Sequence, residues 1–136
     1  MSFETELEII GKLFLAVLLT SLLGMERRVA KKPGGTRTMA LVGCSTTLFT
    51  SLAIQINVPT IISGVLIGIG FLGSGVINRK KDEIKGLTTG ALIWTVATIG
   101  ISIGLGYYLS AILITLISLF ILRNKWINNF SSITKN

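Results

Sequence analysis

Five apolar runs, separated by short polar or glycine-containing segments, account for most of this 136-residue chain. A helix needs about 20 mainly apolar residues to cross the hydrocarbon core of a bilayer. Only 14% of the residues are charged and the mean hydropathy is +0.75, whereas soluble domains carry about 25% charged residues. The sequence therefore predicts an all-α integral membrane protein, a single domain over 1–136, with transmembrane helices at about 7–24, 38–56, 60–77, 86–106 and 107–122.

The last two runs are predicted as separate helices. One helix from Gly86 to Leu122 would be about 55 Å long, too long for one ordinary crossing. Gly104 and Gly106 stand beside a pair of tyrosines, Tyr107 and Tyr108, and this composition is typical of a turn at the headgroup level.

The distribution of charge predicts the orientation of the five helices. The segment that follows the first run carries five basic residues against Glu26, the segment before the fourth run carries four against two acids, and the tail adds Arg123, Lys125 and Lys135. Five crossings place all three segments on one side, which the positive-inside tendency makes cytoplasmic. We therefore expect the N-terminus outside, the C-terminus in the cytoplasm and Trp126 as an interfacial anchor. The net charge of +7 fits this orientation better than nucleic-acid binding.

The third run contains a glycine-rich stretch, Gly64–Ile77, in which five of fourteen residues are glycine. Glycine costs about 0.5–1 kcal/mol relative to alanine inside a helix, and in membranes it usually lets another backbone come close. We expect this helix to be the central one, with Trp94 of the fourth helix packed against it and its indole N–H bonded inside the bundle. The residues predicted to pack helices are Gly64, Gly68, Gly70, Gly73, Gly75, Gly86, Gly90 and Trp94.

The same stretch matches the Gly-x-Gly-x-x-Gly pattern of dinucleotide-binding folds at Gly68, Gly70 and Gly73. That pattern indicates a nucleotide site only between a strand and a helix of a soluble βαβ unit. Here the surroundings are continuously apolar, so we interpret the pattern as a packing motif.

Polar residues gather at the predicted cytoplasmic ends of the first four helices. In a compact bundle these ends lie close together, and Glu26 is expected to pair with Arg27, Arg37 or Arg79, or to face water. Anchoring by ordinary loop charges and a functional cluster remain equal alternatives, and the two hydroxyls that open the fourth helix suit a helix cap better than an anion site. The predicted cluster comprises Glu26, Arg27, Arg37, Thr38, Asn78, Arg79, Thr88 and Thr89.

Few polar groups lie inside the predicted spans. Lys12 is expected to pair with Glu8 one turn earlier, as an interfacial lysine rather than part of an ion pathway. The threonines at 46, 47, 95 and 98 suit hydrogen bonds between helices better than a polar path. The chain has no histidine, no carboxylate deep in a span and no pattern typical of a hydrolase, so we predict neither an enzyme nor a cofactor, and metal ligands are unknown.

At these residues the sequence resembles the N-terminal membrane domain of the MgtC/SapB family. The resemblance covers about Gly24 to Gly106, in four ordered motifs. They are Gly24-x-Glu26-Arg27; Gly35-x-Arg37-Thr38 with Leu41-Val42-Gly43; Gly68-x-Gly70-Phe71-Leu72-Gly73-Ser74-Gly75-Val76-Ile77; and Lys85-Gly86-Leu87-Thr88-Thr89 leading to Ala91, Trp94, Ala97 and Gly100. The chain ends soon after the fifth predicted helix, so the soluble C-terminal domain of longer members is expected to be missing.

The resemblance implies an inner-membrane protein tied to magnesium limitation, and at least one relative is reported to restrain the F-type ATP synthase. Our first hypothesis is a regulator that binds other membrane proteins, such as ATP synthase or a transporter. The alternative is a transporter or channel for magnesium or another ion, acting as an oligomer through Glu26, Asn78 and the threonines. A purely structural scaffold is a third. The regulator predicts that Gly70→Leu is the more harmful change, and the transporter predicts that Glu26→Gln alters ion dependence. Under these hypotheses magnesium would be a transported or sensed ion, and the further expected partners are the lipid bilayer and other copies of the chain.

Overall fold

The computed structural model describes residues 3–80 and 83–124. Over these residues the chain is an all-α membrane protein with five helices, as predicted, and one added β-hairpin. The elements in chain order are α1 (Phe3–Val29), α2 (Thr36–Gln55), α3 (Thr60–Gly75), β1 (Asn78–Lys80), β2 (Glu83–Lys85), α4 (Leu87–Gly104) and α5 (Tyr108–Arg123).

Three of these helices are long enough and apolar enough to cross a membrane: α1 over Thr5–Val29, α2, and α4. The other two, α3 and α5, are apolar but have 16 residues each. At 1.5 Å per residue they rise about 24 Å, less than the hydrocarbon thickness of about 30 Å. Their crossing of the bilayer, and the orientation of the termini, remain predictions, and Trp126 lies outside the described residues.

The first helix extends five residues beyond its predicted end, through the polar residues that follow Gly24. None of these residues breaks a helix, and the chain turns only at Lys31, whose φ is +54°. The amide of Lys32 donates to the Arg27 carbonyl at 2.9 Å, which closes the helix end in the manner of a left-handed C-terminal cap. As a result, Glu26 and Arg27 lie in the last turn of α1 instead of in a loop.

The segment expected to be a charged loop forms a hairpin. Asn78 pairs with Lys85 and Arg79 with Ile84 in an antiparallel register. Gly86 joins the hairpin to α4 with φ +85°, and a Cβ at this position would overlap the Val76 carbonyl oxygen. Only glycine therefore fits at position 86, where the chain passes close to the end of α3.

The central helix is α4, and the expectation that α3 would take this place is wrong. On α3 only Ile69 and Gly73 are buried. Small and β-branched residues let α4 contact neighbours on several sides at once. Ten residues of α4 are buried: Thr89, Gly90, Leu92, Ile93, Val96, Ala97, Ile99, Gly100, Ile103 and Gly104.

The contacts between α1 and α4 define two ends of the bundle. At one end Arg27 of α1 reaches Thr89 of α4, and at the other the Lys12 ammonium reaches the Gly104 carbonyl oxygen at 3.4 Å. The end that carries the α1–α2 connection and the hairpin is called the basic end below, because most of the basic side chains are found there. Lys12 also forms the predicted ion pair with Glu8, at 2.7 Å.

Candidate functional site

A buried arginine joins three parts of the chain at the basic end. Arg27 is only 7% exposed, and its Nη2 donates to the Thr89 hydroxyl oxygen at 3.1 Å. The Thr89 hydroxyl in turn donates to the Pro33 carbonyl oxygen, at 3.4 Å. The last turn of α1, the connection to α2 and the first turn of α4 are therefore linked through one guanidinium group.

Glycine residues make room for this link. A Cβ at Gly24 would lie 2.5 Å from the Thr36 Cα, so only a glycine lets the start of α2 approach α1 so closely. Gly34 has φ +82°, and a Cβ there would lie 2.5 Å from the Met39 Cε and 3.0 Å from the Thr89 Cγ2. The turn at Pro33–Gly35 thus presents the Pro33 carbonyl to the Thr89 hydroxyl.

Three polar atoms at this end are buried without a hydrogen-bond partner: Glu26 Oε2, Arg27 Nε and Thr36 Oγ1. In the described part of the chain neither Glu26 nor Arg27 takes part in an ion pair. Leaving a buried charged group partly unpaired is costly, typically by several kcal/mol. Of the two expectations for Glu26, an ion pair or a position facing water, the ion pair is not formed among the described residues. The three atoms are therefore available to bond water, a ligand or a partner.

The other predicted polar residues lie on the surface. Arg37, Thr38 and Thr88 are exposed at the starts of α2 and α4, and Asn78 and Arg79 are exposed on β1. Of the predicted cluster, the structure brings Arg27 and Thr89 into direct contact. No group of three or more His, Cys, Asp or Glu side chains suited to a metal occurs among the described residues.

The predicted packing glycines separate into two sets. Gly73 and Gly90 bring α3 and α4 together, since a Cβ at Gly90 would lie 2.9 Å from the Gly73 carbonyl oxygen. At four positions of α3 an added Cβ would meet no described atom within 4 Å: Gly64, Gly68, Gly70 and Gly75. Among the described residues Gly64, Gly68 and Gly75 are exposed, whereas Gly70 borders a groove between α3 and α4. The reason is that α3 lies at the side of α4 and turns its Ile69 and Gly73 face inward.

A groove of about 320 Å³ runs along the seam of α3 and α4. Trp94 is one wall of this groove and is 45% exposed, so its indole lies at the surface of the bundle instead of inside it. The predicted contact with α3 is formed at Gly73, where an added Cβ would lie 3.7 Å from the Trp94 Cδ1. The α3–α4 groove comprises Gly70, Gly73, Ser74, Ile77, Leu87, Gly90, Ala91 and Trp94.

Sequence reasoning missed the glycines that hold α2 against α1 and α4. A Cβ at Gly43 would lie 2.5 Å from the Thr20 Cγ2, and one at Gly104 would lie 2.6 Å from the Thr50 Cβ. The Thr47 hydroxyl donates across the interface to the Gly100 carbonyl oxygen at 3.0 Å, as expected for a hydrogen bond between helices. The four-residue spacing of Gly100 and Gly104 was the available signal.

The other three threonines predicted to bond between helices bond within their own helices. The Thr46 hydroxyl donates to the Val42 carbonyl oxygen at 2.9 Å. Thr95 and Thr98 donate to carbonyls four residues earlier, at 3.1 and 3.0 Å. These three hydroxyls thus form no bond between helices, contrary to the expectation.

Comparison with known proteins identifies relatives of this chain. The chain is 37% identical to an uncharacterized Haemophilus influenzae protein, with 90% of this chain and 60% of that protein covered. It is 39% identical to Protein MgtC of Salmonella typhimurium, over 79% of this chain and 48% of MgtC. It is 34% identical to the "Putative magnesium transporter YhiD" of Escherichia coli, over 85% of this chain and 60% of YhiD.

The chain thus spans about half to three fifths of the length of these relatives. No solved structure matches it significantly. The sequence profile of the MgtC family matches residues 13–129. Since this match includes most of the five-helix bundle and the whole of the basic end, the chain belongs to the MgtC family.

Proposed function

We propose that this chain is a regulator in magnesium or ion homeostasis, resident in the inner membrane, that acts by binding a transmembrane helix of another membrane protein. The magnesium connection comes from the name of the Escherichia coli relative. The observation that carries the mode of action is the outward glycine face of α3, which consists of Gly64, Gly68 and Gly75 with Phe71 among them. This mode of action requires no catalytic step.

The cost of glycine supports the binding of a helix. Each of these residues weakens α3 by about 0.5–1 kcal/mol relative to alanine, and none packs against the rest of the described chain. Between membrane helices, close backbone contact can offset this cost. Such contact matters there because lipid offers no hydrophobic driving force for helix association. A partner helix at Gly64 and Gly68 would provide that contact.

The shape of this face favours a different protein over a second copy. Phe71 projects from it and is 82% exposed, so the partner helix must offer a notch opposite the ring. Two copies of α3 crossing symmetrically at their glycines would bring their own Phe71 side chains toward each other. A helix with small residues at that level fits without this clash.

The alternative is an ion transporter, as the name of the Escherichia coli relative suggests. The partly unpaired Glu26 and Arg27 at the basic end are the observation in its favour. The donation of Thr20 and Thr46 to carbonyls of their own helices, at 2.7 and 2.9 Å, counts against a hydroxyl-lined path. We therefore keep transport as the second candidate.

Photo-cross-linking in cells tests the regulator. A photoreactive residue replaces Ile67, which is 77% exposed beside the glycine face, and a control replaces Leu41 of α2, which is 68% exposed. Under low magnesium we expect the residue at 67 to capture a distinct membrane protein, identified by mass spectrometry, and the residue at 41 not to. Gly68→Leu should abolish the product and growth in low magnesium. Gly11→Leu, which also enters open space, should preserve both.

Two results would contradict this proposal. A cross-linked product consisting of two copies of the chain would show that the glycine face binds a second copy and not another protein. Magnesium uptake into liposomes that contain only the purified protein, lost in Glu26→Gln, would establish the transporter instead.

A further inference from the structure

The α3–α4 groove leads from the basic end toward the middle of the bundle. Its α3 wall runs from Ile77 to Gly70 and its α4 wall from Leu87 to Trp94. Seven residues on each helix correspond to about 10 Å, or two turns. One leaflet of the hydrocarbon core is about 15 Å deep. The groove therefore has the length of a large part of one leaflet and opens at the headgroup level.

Basic side chains stand at the open end of the groove. Ile77 is followed by Asn78 and Arg79, and Leu87 is preceded by Lys85 and Gly86. In the hairpin Lys85 lies opposite Asn78 and Arg79 lies opposite Ile84, so the two basic side chains leave opposite faces of the hairpin. Both lie near the mouth of the groove and are exposed. Glu83 lies 3.3 Å from the Lys85 ammonium, but both side chains are 70% exposed, and solvent weakens such a pair.

We propose that the α3–α4 groove holds an acyl chain of an anionic phospholipid, whose headgroup is attracted by the exposed cations Arg79 and Lys85 near the mouth. The size of the groove favours a lipid over a helix. A helix is about 10–12 Å across, so two turns of it exceed about 320 Å³, whereas a flexible chain fits against the exposed backbone of Gly70 and Gly73. The hairpin carries four basic and two acidic residues, which gives the mouth the positive charge that an anionic headgroup requires.

This site is separate from the outward glycine face. At about 100° per residue, Gly73 points away from Gly64 by about 180°. A lipid in the α3–α4 groove and a partner helix at Gly64 and Gly68 are therefore compatible, and each proposal can fail without the other.

Quenching of Trp94 fluorescence by brominated lipids tests this proposal. The chain has two tryptophans, so Trp126→Phe leaves Trp94 as the only reporter. The protein is reconstituted in phosphatidylcholine vesicles that contain a small fraction of brominated phosphatidylglycerol or of brominated phosphatidylcholine. We expect the site to prefer the anionic lipid by up to about thirtyfold, since each of two headgroup-level cations contributes about 1 kcal/mol.

Variants distinguish this site from general contact with the bilayer. The double change Arg79→Gln and Lys85→Gln should bring the preference to about one, and Arg37→Gln, an exposed cation at the start of α2, should leave it unchanged. Gly70→Leu places a side chain in the groove, where its Cβ meets no atom within 4 Å, and should reduce quenching by both lipids. Gly64→Leu, on the opposite face, should not.

Equal quenching by the two brominated lipids in the parent protein would overturn the proposal, and so would a preference that survives the double charge change. If Gly70→Leu alters the far-ultraviolet circular dichroism spectrum, the charge variants alone decide. If the preference persists but the cross-link at position 67 fails, the lipid site stands and the proposed regulator falls.

Discussion

Arg27 is the residue on which the basic end depends. It is buried in the last turn of α1, and among the described residues its guanidinium donates to the hydroxyl of Thr89, 62 positions later. A hydrogen bond to a charged group is worth about 1.5–3 kcal/mol, and removing the acceptor also leaves a buried donor unsatisfied. The Thr89 hydroxyl is therefore expected to contribute more to the stability of the folded protein than its size suggests.

Thr89→Val removes that hydroxyl with little change of shape. We expect the free energy of unfolding to fall by about 1.5–3 kcal/mol, measured by titration of the protein in mixed micelles with a denaturing detergent. Thr89→Ser keeps the hydroxyl and should be much closer to the parent. Thr88→Val, at the exposed neighbouring position, should change the stability little. Equal stability of Thr88→Val and Thr89→Val would show that the hydrogen bond from Arg27 to Thr89 does not stabilise the protein.

The packing of the elements rests on α4 and on the glycines that let α2 approach it. The Thr47 bond to the Gly100 carbonyl brings the two backbones together, and a Cβ at Gly100 would overlap the Thr46 hydroxyl and lie 2.7 Å from the Gly43 carbonyl oxygen. On α3, by contrast, Gly64 borders open space. Glycines of similar sequence context thus have opposite roles on the two helices.

Gly100→Ala should destabilise the bundle by about 1–3 kcal/mol, because α2 has to move away from α4. The matched change Gly64→Ala should leave stability unchanged or raise it by up to about 1 kcal/mol, since alanine is the better helix former. Thermal unfolding of the two variants in detergent provides the comparison. Comparable midpoints for Gly100→Ala and the parent would contradict the assignment of α4 as the closely packed centre.

For the whole molecule, the arrangement of charge predicts how the bundle sits in the membrane. The α1–α2 connection and the hairpin occupy the same end, through the contacts of Thr89 with Arg27 and Pro33. The connections at the other end, Ile56–Pro59 and Leu105–Tyr107, carry no charged residue. The positive-inside tendency therefore predicts that the basic end lies in the cytoplasm.

Cysteine labelling tests this orientation in a Cys44→Ser background, which removes the one native cysteine. Val58→Cys and Tyr107→Cys should react with a membrane-impermeant maleimide in intact cells. Lys32→Cys should react only after the membrane is opened. Labelling of Lys32→Cys from outside would reverse the predicted topology. If Val58→Cys and Tyr107→Cys were labelled on opposite sides of the membrane, α3 and α4 could not both cross it.

The sequence by itself determined the class of the protein, the number of its helices and the family, because these depend on the length, composition and order of local segments. It also identified Arg27 and Thr89 as members of one polar cluster. It placed the end of α1 five residues too early and expected a loop where the hairpin forms, since backbone hydrogen bonds continue through the polar residues of both segments.

Only the tertiary structure decided which helix is central, which glycines pack and which polar groups stay unpaired. In a soluble protein, apolar periodicity reveals the buried face of a helix. Lipid is as apolar as leucine, so the exposed residues of α3 and the buried residues of α4 look alike in the sequence. Their difference, and the failure of Glu26 to find the expected ion pair, arise from contacts between residues far apart in the chain.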